Sequence, residues 1–199
     1  MGIPNTSVCQ TSFMDAGKTV TLGLTATQRF AAPTVTDDGA GTYQAAAGAG
    51  TPTAYGQWQF DYYLNFSPSG GIGPYVLELL YDVDPAMAND ASTHGVVLFP
   101  IVPGMFPLLA SDTVQDSWNL GFGFLNAGVT PGVTLPAPAM TFDPTAIGEY
   151  TFSLRLLAPG GALVGSPISI LVNTVPEPAT YAMLGLGLAG LGWLRKRRA

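Results

Sequence analysis

Residues 56–66, GQWQFDYYLNF, alternate between apolar and polar side chains with a period of two. One face carries Trp58, Phe60, Tyr62, Leu64 and Phe66, and the other carries Gln57, Gln59, Asp61, Tyr63 and Asn65. Successive side chains of a β-strand point to opposite faces of its sheet. The pattern therefore predicts a strand with one face against a core and the other toward water.

The same alternation recurs on both sides of this stretch. We predict strands at residues 19–26, 75–82, 94–102, 117–125, 148–157 and 163–174, with one or two short ones inside 31–54. Pro167 makes the last of these an edge strand or the site of a bulge. The small, polar first dozen residues are expected to be frayed, and no amphipathic helix is predicted before residue 175.

Seven or eight short strands separated by turn signals predict an all-β fold. We predict a two-sheet antiparallel β-sandwich, of the jelly-roll or Ig-like kind, over residues 1–174. Residues 175–199 form a separate C-terminal segment that contains one short hydrophobic helix.

Charge divides the chain into the same two parts. Residues 1–174 carry 12 acidic and three basic side chains, a net charge of −9, whereas residues 175–199 carry a net charge of +3. A body this acidic repels a phosphate backbone, which argues against nucleic-acid binding. The chain has one cysteine, Cys9, and one histidine, His94, which excludes an intramolecular disulfide and a Cys/His zinc cage. No cofactor is predicted.

The C-terminal segment has three parts in a fixed order. Val175, Pro176, Glu177 and Pro178 form an extended spacer, because neither proline has an N–H to donate. Residues 181–194 are uncharged and mostly apolar, and with Thr180 they predict a short transmembrane helix over 180–194. The cluster Arg195, Lys196, Arg197 and Arg198 then acts as a stop-transfer signal on the cytoplasmic side.

This order of VPEP, short Gly/Leu-rich helix and Arg-rich end resembles the PEP-CTERM sorting signal of Gram-negative bacteria. The resemblance implies that an exosortase, a membrane-embedded protease, recognises Pro176, Glu177 and Pro178 and cuts nearby. The stretches WQFDYYLNF, LLYDVDPA and SWNLGFGFL also resemble an ectodomain, without assigned activity, that precedes such signals.

The resemblance also implies a location. The protein is expected to be exported, held in the inner membrane by its helix, and then placed at the cell surface or in the extracellular matrix. Its body would be structural or adhesive in exopolysaccharide and not an enzyme, or else a carbohydrate- or calcium-binding module. The first 30 positions hold no apolar run of the signal-peptide kind. We expect that the start codon is assigned too far downstream and that a signal peptide is encoded before Met1; a gene fragment and another export route are the alternatives.

Oxygen-bearing side chains cluster in one loop of the body. Asp82, Asp84, Asn89 and Asp90 lie within nine residues, and a hard cation such as Ca²⁺ prefers such ligands. The alternative is a turn in which aspartate side chains accept hydrogen bonds from local backbone N–H groups.

Aromatic side chains offer a second candidate site. Trp58, Tyr62 and Trp118 suit either sugar stacking or core packing, and strand alternation favours the core. Tyr63, on the opposite face with Asp61 and Asn65, is the better candidate for a wet carbohydrate contact. His94 is interpreted as an ordinary residue at the start of a strand, because no nucleophile motif accompanies it.

Overall fold

The structure is a computed structural model that describes residues 8–30, 32, 34–69, 74–87, 90–101, 112–127, 129–130, 133–134 and 140–176. These residues form twelve strands, one short helix, α1 (Gly123–Ala127), and one 3₁₀ turn (Ala91–Thr93). The strands are β1 Cys9–Asp15, β2 Lys18–Gln28, β3 Thr36–Asp37, β4 Thr42–Ala46, β5 Trp58–Ser67, β6 Tyr75–Tyr81, β7 Gly95–Ile101, β8 Thr113–Trp118, β9 Val129–Thr130, β10 Val133–Thr134, β11 Gly148–Leu157 and β12 Leu163–Val175.

The strands make two sheets, which confirms the prediction of a mostly β, two-sheet protein. The first has the order β1-β2-β5-β8, and the second has the order β3-β4-β12-β11-β6-β7-β10-β9. The prediction of an entirely antiparallel fold is wrong at one place, because β12 pairs parallel to β4. A period of two assigns faces but carries no information about the direction of the neighbouring strand.

The core lies between the apolar faces of the two sheets. The rings of Phe60, on β5, and Phe152, on β11, lie 4.5 Å apart between centroids, and Trp58 contacts Tyr150 at 5.6 Å. Trp58 and Tyr62 are both buried, so the preference for core packing over an exposed sugar platform is confirmed for these two residues. Burial of several aromatic side chains supplies much of the hydrophobic driving force of a domain this size.

One predicted strand is wrong. Residues 117–125 were expected to be extended, but β8 ends at Trp118 and is followed by a turn and α1. The fully buried Asn119 causes the change of direction. Its Oδ1 accepts from the N–H groups of Gly56 and Gly121, both at 3.0 Å, and its Nδ2 donates to the carbonyls of Gly56 (3.0 Å) and Trp58 (2.6 Å). These bonds tie the chain to residues 56–58 and end the strand.

The expectation of a frayed first dozen residues is wrong from Cys9 onward. Strand β1 pairs with β2 along its whole length, from Cys9 opposite Leu24 to Asp15 opposite Lys18. Phe13 points inward and packs against the backbone of Gly165, in the first half of β12. Residues 165–167 of β12 form the bulge that Pro167 indicated, since the register with β11 shifts between Leu154 and Leu156.

Replacing Gly165 by alanine is expected to destabilise the protein markedly. Its backbone φ of +67° favours glycine, and an added Cβ would lie 2.3 Å from the Phe13 ring. The left-handed conformation alone costs an alanine about 1–2 kcal/mol, and displacement of Phe13 adds to that. Gly161→Ala is the matched control, because its φ is +88° with nothing within 4 Å of the added Cβ. Urea denaturation measures the unfolding free energy of both variants. Equal losses for Gly165→Ala and Gly161→Ala would contradict the packing of Phe13 on Gly165.

Candidate functional site

The last strand of the body is held firmly up to the first residue of the predicted sorting motif. Strand β12 pairs with β4 as far as Val175, opposite Ala46, and the Ala47 N–H donates to the Val175 carbonyl at 2.8 Å. Pro176 follows and has no N–H, so it cannot extend the hydrogen-bond ladder. The folded body and the motif therefore meet at Val175 with no intervening loop.

Thr174 fastens the end of this strand, and its side chain is buried. Its hydroxyl accepts from the Gly148 N–H at 2.9 Å and lies within donating distance of the carbonyl oxygens of Ala146 (3.0 Å) and Gly148 (3.2 Å). The hydroxyl thus joins β12 to the loop that precedes β11. Threonine is common throughout this chain, so its sequence offered no signal that distinguished Thr174 from the others.

The rest of the predicted signal lies outside the described residues. This applies to Glu177 and Pro178, to the predicted transmembrane helix over 180–194, and to Arg195, Lys196, Arg197 and Arg198. Within the part of the chain that the structure describes, no helix is long and apolar enough to cross a membrane.

The aspartates of the predicted calcium loop each accept a hydrogen bond from nearby backbone. Asp82 accepts from the N–H of Asp84 at 2.9 Å, and Asp84 accepts from Ala86 at 3.0 Å. Asp90 caps the 3₁₀ turn by accepting from Ser92 at 2.8 Å, and this bond lowers the pKa of the Asp90 carboxyl. These are the hydrogen bonds expected if the loop is a turn in which aspartate side chains accept from local backbone N–H groups.

A metal site needs its ligands in one place. Among the described residues, no group of three or more histidine, cysteine, aspartate or glutamate side chains is placed to hold a metal ion. Asn89 lies outside the described residues, so calcium binding by this loop stays a prediction. His94 lies directly before β7, with Nε2 3.7 Å from the buried Asp82 carboxylate, and both side chains are almost fully enclosed.

Two side chains on the polar face of β5 form hydrogen bonds to neighbouring strands. Asp61 is 2% exposed and accepts from the Thr27 hydroxyl at 2.8 Å, and Asn65 donates to Thr113 Oγ1 at 2.8 Å on the neighbouring strand. Loss of hydration raises the pKa of the Asp61 carboxyl, and the nearby Asp116 charge acts in the same direction. Tyr63, the third residue suggested for a wet carbohydrate contact, is half-buried, and its side chain forms no hydrogen bond with the residues that the structure describes.

The raised pKa of Asp61 predicts a pH effect on stability. A carboxyl that holds its proton more tightly when folded stabilises the protein at low pH, and this contribution disappears as the pH rises through the folded pKa. The unfolding free energy of the wild type minus that of Asp61→Asn should therefore fall between about pH 4 and neutrality.

Asp143→Asn is the control with the opposite sign. Hydrogen bonds from Thr145 lower the pKa of the exposed Asp143 carboxyl. The unfolding free energy of the wild type minus that of Asp143→Asn should therefore rise as the pH increases to about 4 and stay constant above it. Chemical denaturation at several pH values measures both, and parallel curves for the two variants would contradict the burial argument for Asp61.

Comparison with known proteins bears on the C-terminal segment. No curated protein matches the chain. A family model described as the PEP-CTERM protein-sorting motif matches residues 174–198. A motif of this type implies export, a membrane-anchored C-terminal signal before processing, and processing by an exosortase. The match begins at Thr174, inside the end of β12, and it covers each part of the predicted signal. The chain therefore carries a PEP-CTERM protein-sorting motif at residues 174–198.

Proposed function

We propose that this chain is a surface or extracellular-matrix protein whose body becomes soluble once an exosortase has cut its C-terminal signal. The body has a structural or adhesive role in exopolysaccharide and is not an enzyme. Residues 180–194 hold the precursor in the inner membrane, and the basic cluster 195–198 stays on the cytoplasmic side.

The observation that carries this proposal is the junction at Val175. A protease binds its substrate in an extended form, so the residues on both sides of the cut must leave any hydrogen-bond ladder. Thr174 is buried and hydrogen-bonded, and the Val175 carbonyl accepts from Ala47. Pro176 is the first residue beyond the ladder. The fold thus protects the strand up to Val175 from the cut, and Pro176, the first residue after it, is exposed.

The position of the cut tests this proposal. We expect the released body to end at Pro176 or at a later residue, because cleavage before Pro176 requires β12 to detach from β4. Intact-mass measurement of the protein recovered from the cell surface gives its C-terminal residue. A Thr174→Val variant provides the comparison, since it loses the bonds that fasten the strand end and should show some cleavage upstream of Pro176. A wild-type body that ends at Val175 or earlier would contradict the proposal.

A carbohydrate- or calcium-binding module is the alternative role for the body. Release of the body from the matrix by free sugar would favour carbohydrate binding, whereas release only when the whole matrix is disrupted favours a structural role. An increase in the melting temperature with Ca²⁺ that EDTA reverses would favour the Asp82, Asp84, Asn89 and Asp90 site.

A further inference from the structure

A pocket of about 270 Å³ opens beside the end of β2. Arg29, Phe30 and Gln57 line it together with Ala32 and residues 49–51. Its volume is slightly below the roughly 300–1,000 Å³ of typical small-molecule sites. The pocket therefore has room for a group about the size of one sugar ring.

Arg29 brings a positive charge to this pocket, and no carboxylate of the described residues forms an ion pair with it. Among the described residues, the arginine that pairs with a carboxylate is Arg155, which contacts Glu78, and Arg29 has no such partner there. Its Nε is buried, and it finds no hydrogen-bond acceptor in the part of the chain that the structure describes. A bound carboxylate would give the terminal guanidinium nitrogens of Arg29 an acceptor that the described residues do not supply.

Two aromatic rings hold the guanidinium in place. Its central carbon lies 4.7 Å from the centroid of the Phe30 ring and 4.6 Å from that of Tyr55. Tyr55 in turn packs edge-on against Phe122, with ring centroids 5.3 Å apart, which anchors this side of the pocket to the body. An arginine held in this way loses little side-chain freedom when it forms a bidentate bond to a carboxylate.

Phe30 is unusual in both exposure and backbone conformation. Its side chain is 79% exposed, and its φ is +52°. A bulky residue in the left-handed region is strained, and glycine or asparagine would occupy the position more readily. The contact of the ring with Arg29 offsets only part of this strain, so folding alone gives little reason for a phenylalanine here. An exposed ring beside a cation is the type of surface on which the apolar face of a sugar ring stacks.

We propose that this pocket binds the carboxylate of an acidic sugar, a uronate residue of a polysaccharide. Arg29 donates to the carboxylate and the Phe30 ring stacks on the sugar ring. The inference rests on the proposed adhesive role in exopolysaccharide and names the chemistry that this role uses.

The acidic body opposes this binding only at long range. Its net charge of −9 repels a polyanion, but charges further apart than about 8 Å are largely screened at physiological ionic strength. The contact between Arg29 and a carboxylate lies well within that distance. Binding should therefore be weak, in the millimolar range for a short oligomer, and many bodies along one polymer would add their contacts.

Calorimetric titration with galacturonic acid trimers tests the inference, with neutral galactose trimers as matched ligands. The full chain is kept in solution by a neutral detergent that has no sugar head group. We expect the acidic trimer to bind at least about tenfold more tightly than the neutral one, and Arg29→Gln to remove that preference. Phe30→Gly should weaken binding about fivefold or more while the melting temperature stays equal or rises, since glycine relieves the positive φ.

Three results would overturn the inference. They are equal binding of both trimers, unchanged binding in Arg29→Gln, and equally tight binding of a tripeptide whose carboxylate carries no sugar ring. The last result would make the ligand a peptide carboxylate. Because the titration does not depend on processing, its failure is distinct from a failure of exosortase cleavage.

Discussion

Replacing Pro176, Glu177 and Pro178 together by alanine is expected to abolish processing and leave the precursor in the membrane. The three residues are the part of the sorting motif that lies directly beyond the folded body, and their loss removes both the fixed backbone of the prolines and the carboxylate. An enzyme site built around specific polar groups rejects substrates that lack them by large factors, so we expect cleavage to slow by at least about 100-fold.

The same variant should leave the body intact. Thr174 and the bonds of the Val175 carbonyl are unchanged, so the stability of the sheet should match that of the wild type. Glu177→Gln removes the carboxylate but keeps both prolines, so it measures the contribution of the carboxylate to cleavage. Pro159→Ala, in a turn of the body, is the control for loss of a proline outside the motif. Immunoblots of membrane and released fractions measure the outcome. Release of the triple-alanine variant at the wild-type rate would contradict the assignment of the motif.

Replacing Asn119 by alanine should produce the largest loss of stability of any single substitution discussed for this body. The side chain is completely buried and bonds to both backbone groups of Gly56, to the Trp58 carbonyl and to the Gly121 N–H. Alanine leaves three buried backbone groups and the half-buried Gly121 N–H unpaired. Each buried group costs about 1–3 kcal/mol unless water reaches it. Partial relaxation brings the expected loss to about 3–5 kcal/mol, out of a typical total of about 5–15 kcal/mol.

Asn126→Ala is the matched control for this prediction. The Asn126 amide makes comparable bonds, to the carbonyls of Leu120 and Phe122 and from the Phe142 N–H, but its side chain is only partly buried. Water can replace part of these bonds, so we expect a loss of about 1 kcal/mol. Urea unfolding followed by tryptophan fluorescence measures both variants. Similar losses for the two would contradict the role of complete burial at Asn119.

The strands with strict alternation could be predicted from sequence. In β5 and β11, the aromatic residues at every second position face the core, and the predicted bounds of β11 agree with the structure. Pro167 predicted an edge strand or a bulge, because proline cannot donate to a ladder, and the structure has the bulge, at residues 165–167. The sorting motif was also predictable, since its recognition features are contiguous in sequence.

Other features depend on contacts between distant parts of the chain. The alternating aromatics at Trp118, Phe122 and Phe124 suggested one strand, but the bonds of Asn119 to residues 56–58 redirect the chain. The parallel pairing of β4 with β12 joins segments about 130 residues apart, and no local pattern encodes it. The pocket at Arg29 likewise needs Tyr55 and Gln57 from a different part of the chain.

The most direct test of sorting by an exosortase is the amount and mass of the body released by cells that contain the enzyme and by cells from which it has been deleted. With the enzyme, the body should leave the membrane and lack the basic cluster 195–198. Without it, the full-length chain should remain in the membrane fraction. Release of a shortened body in equal amounts from both kinds of cell would contradict the account.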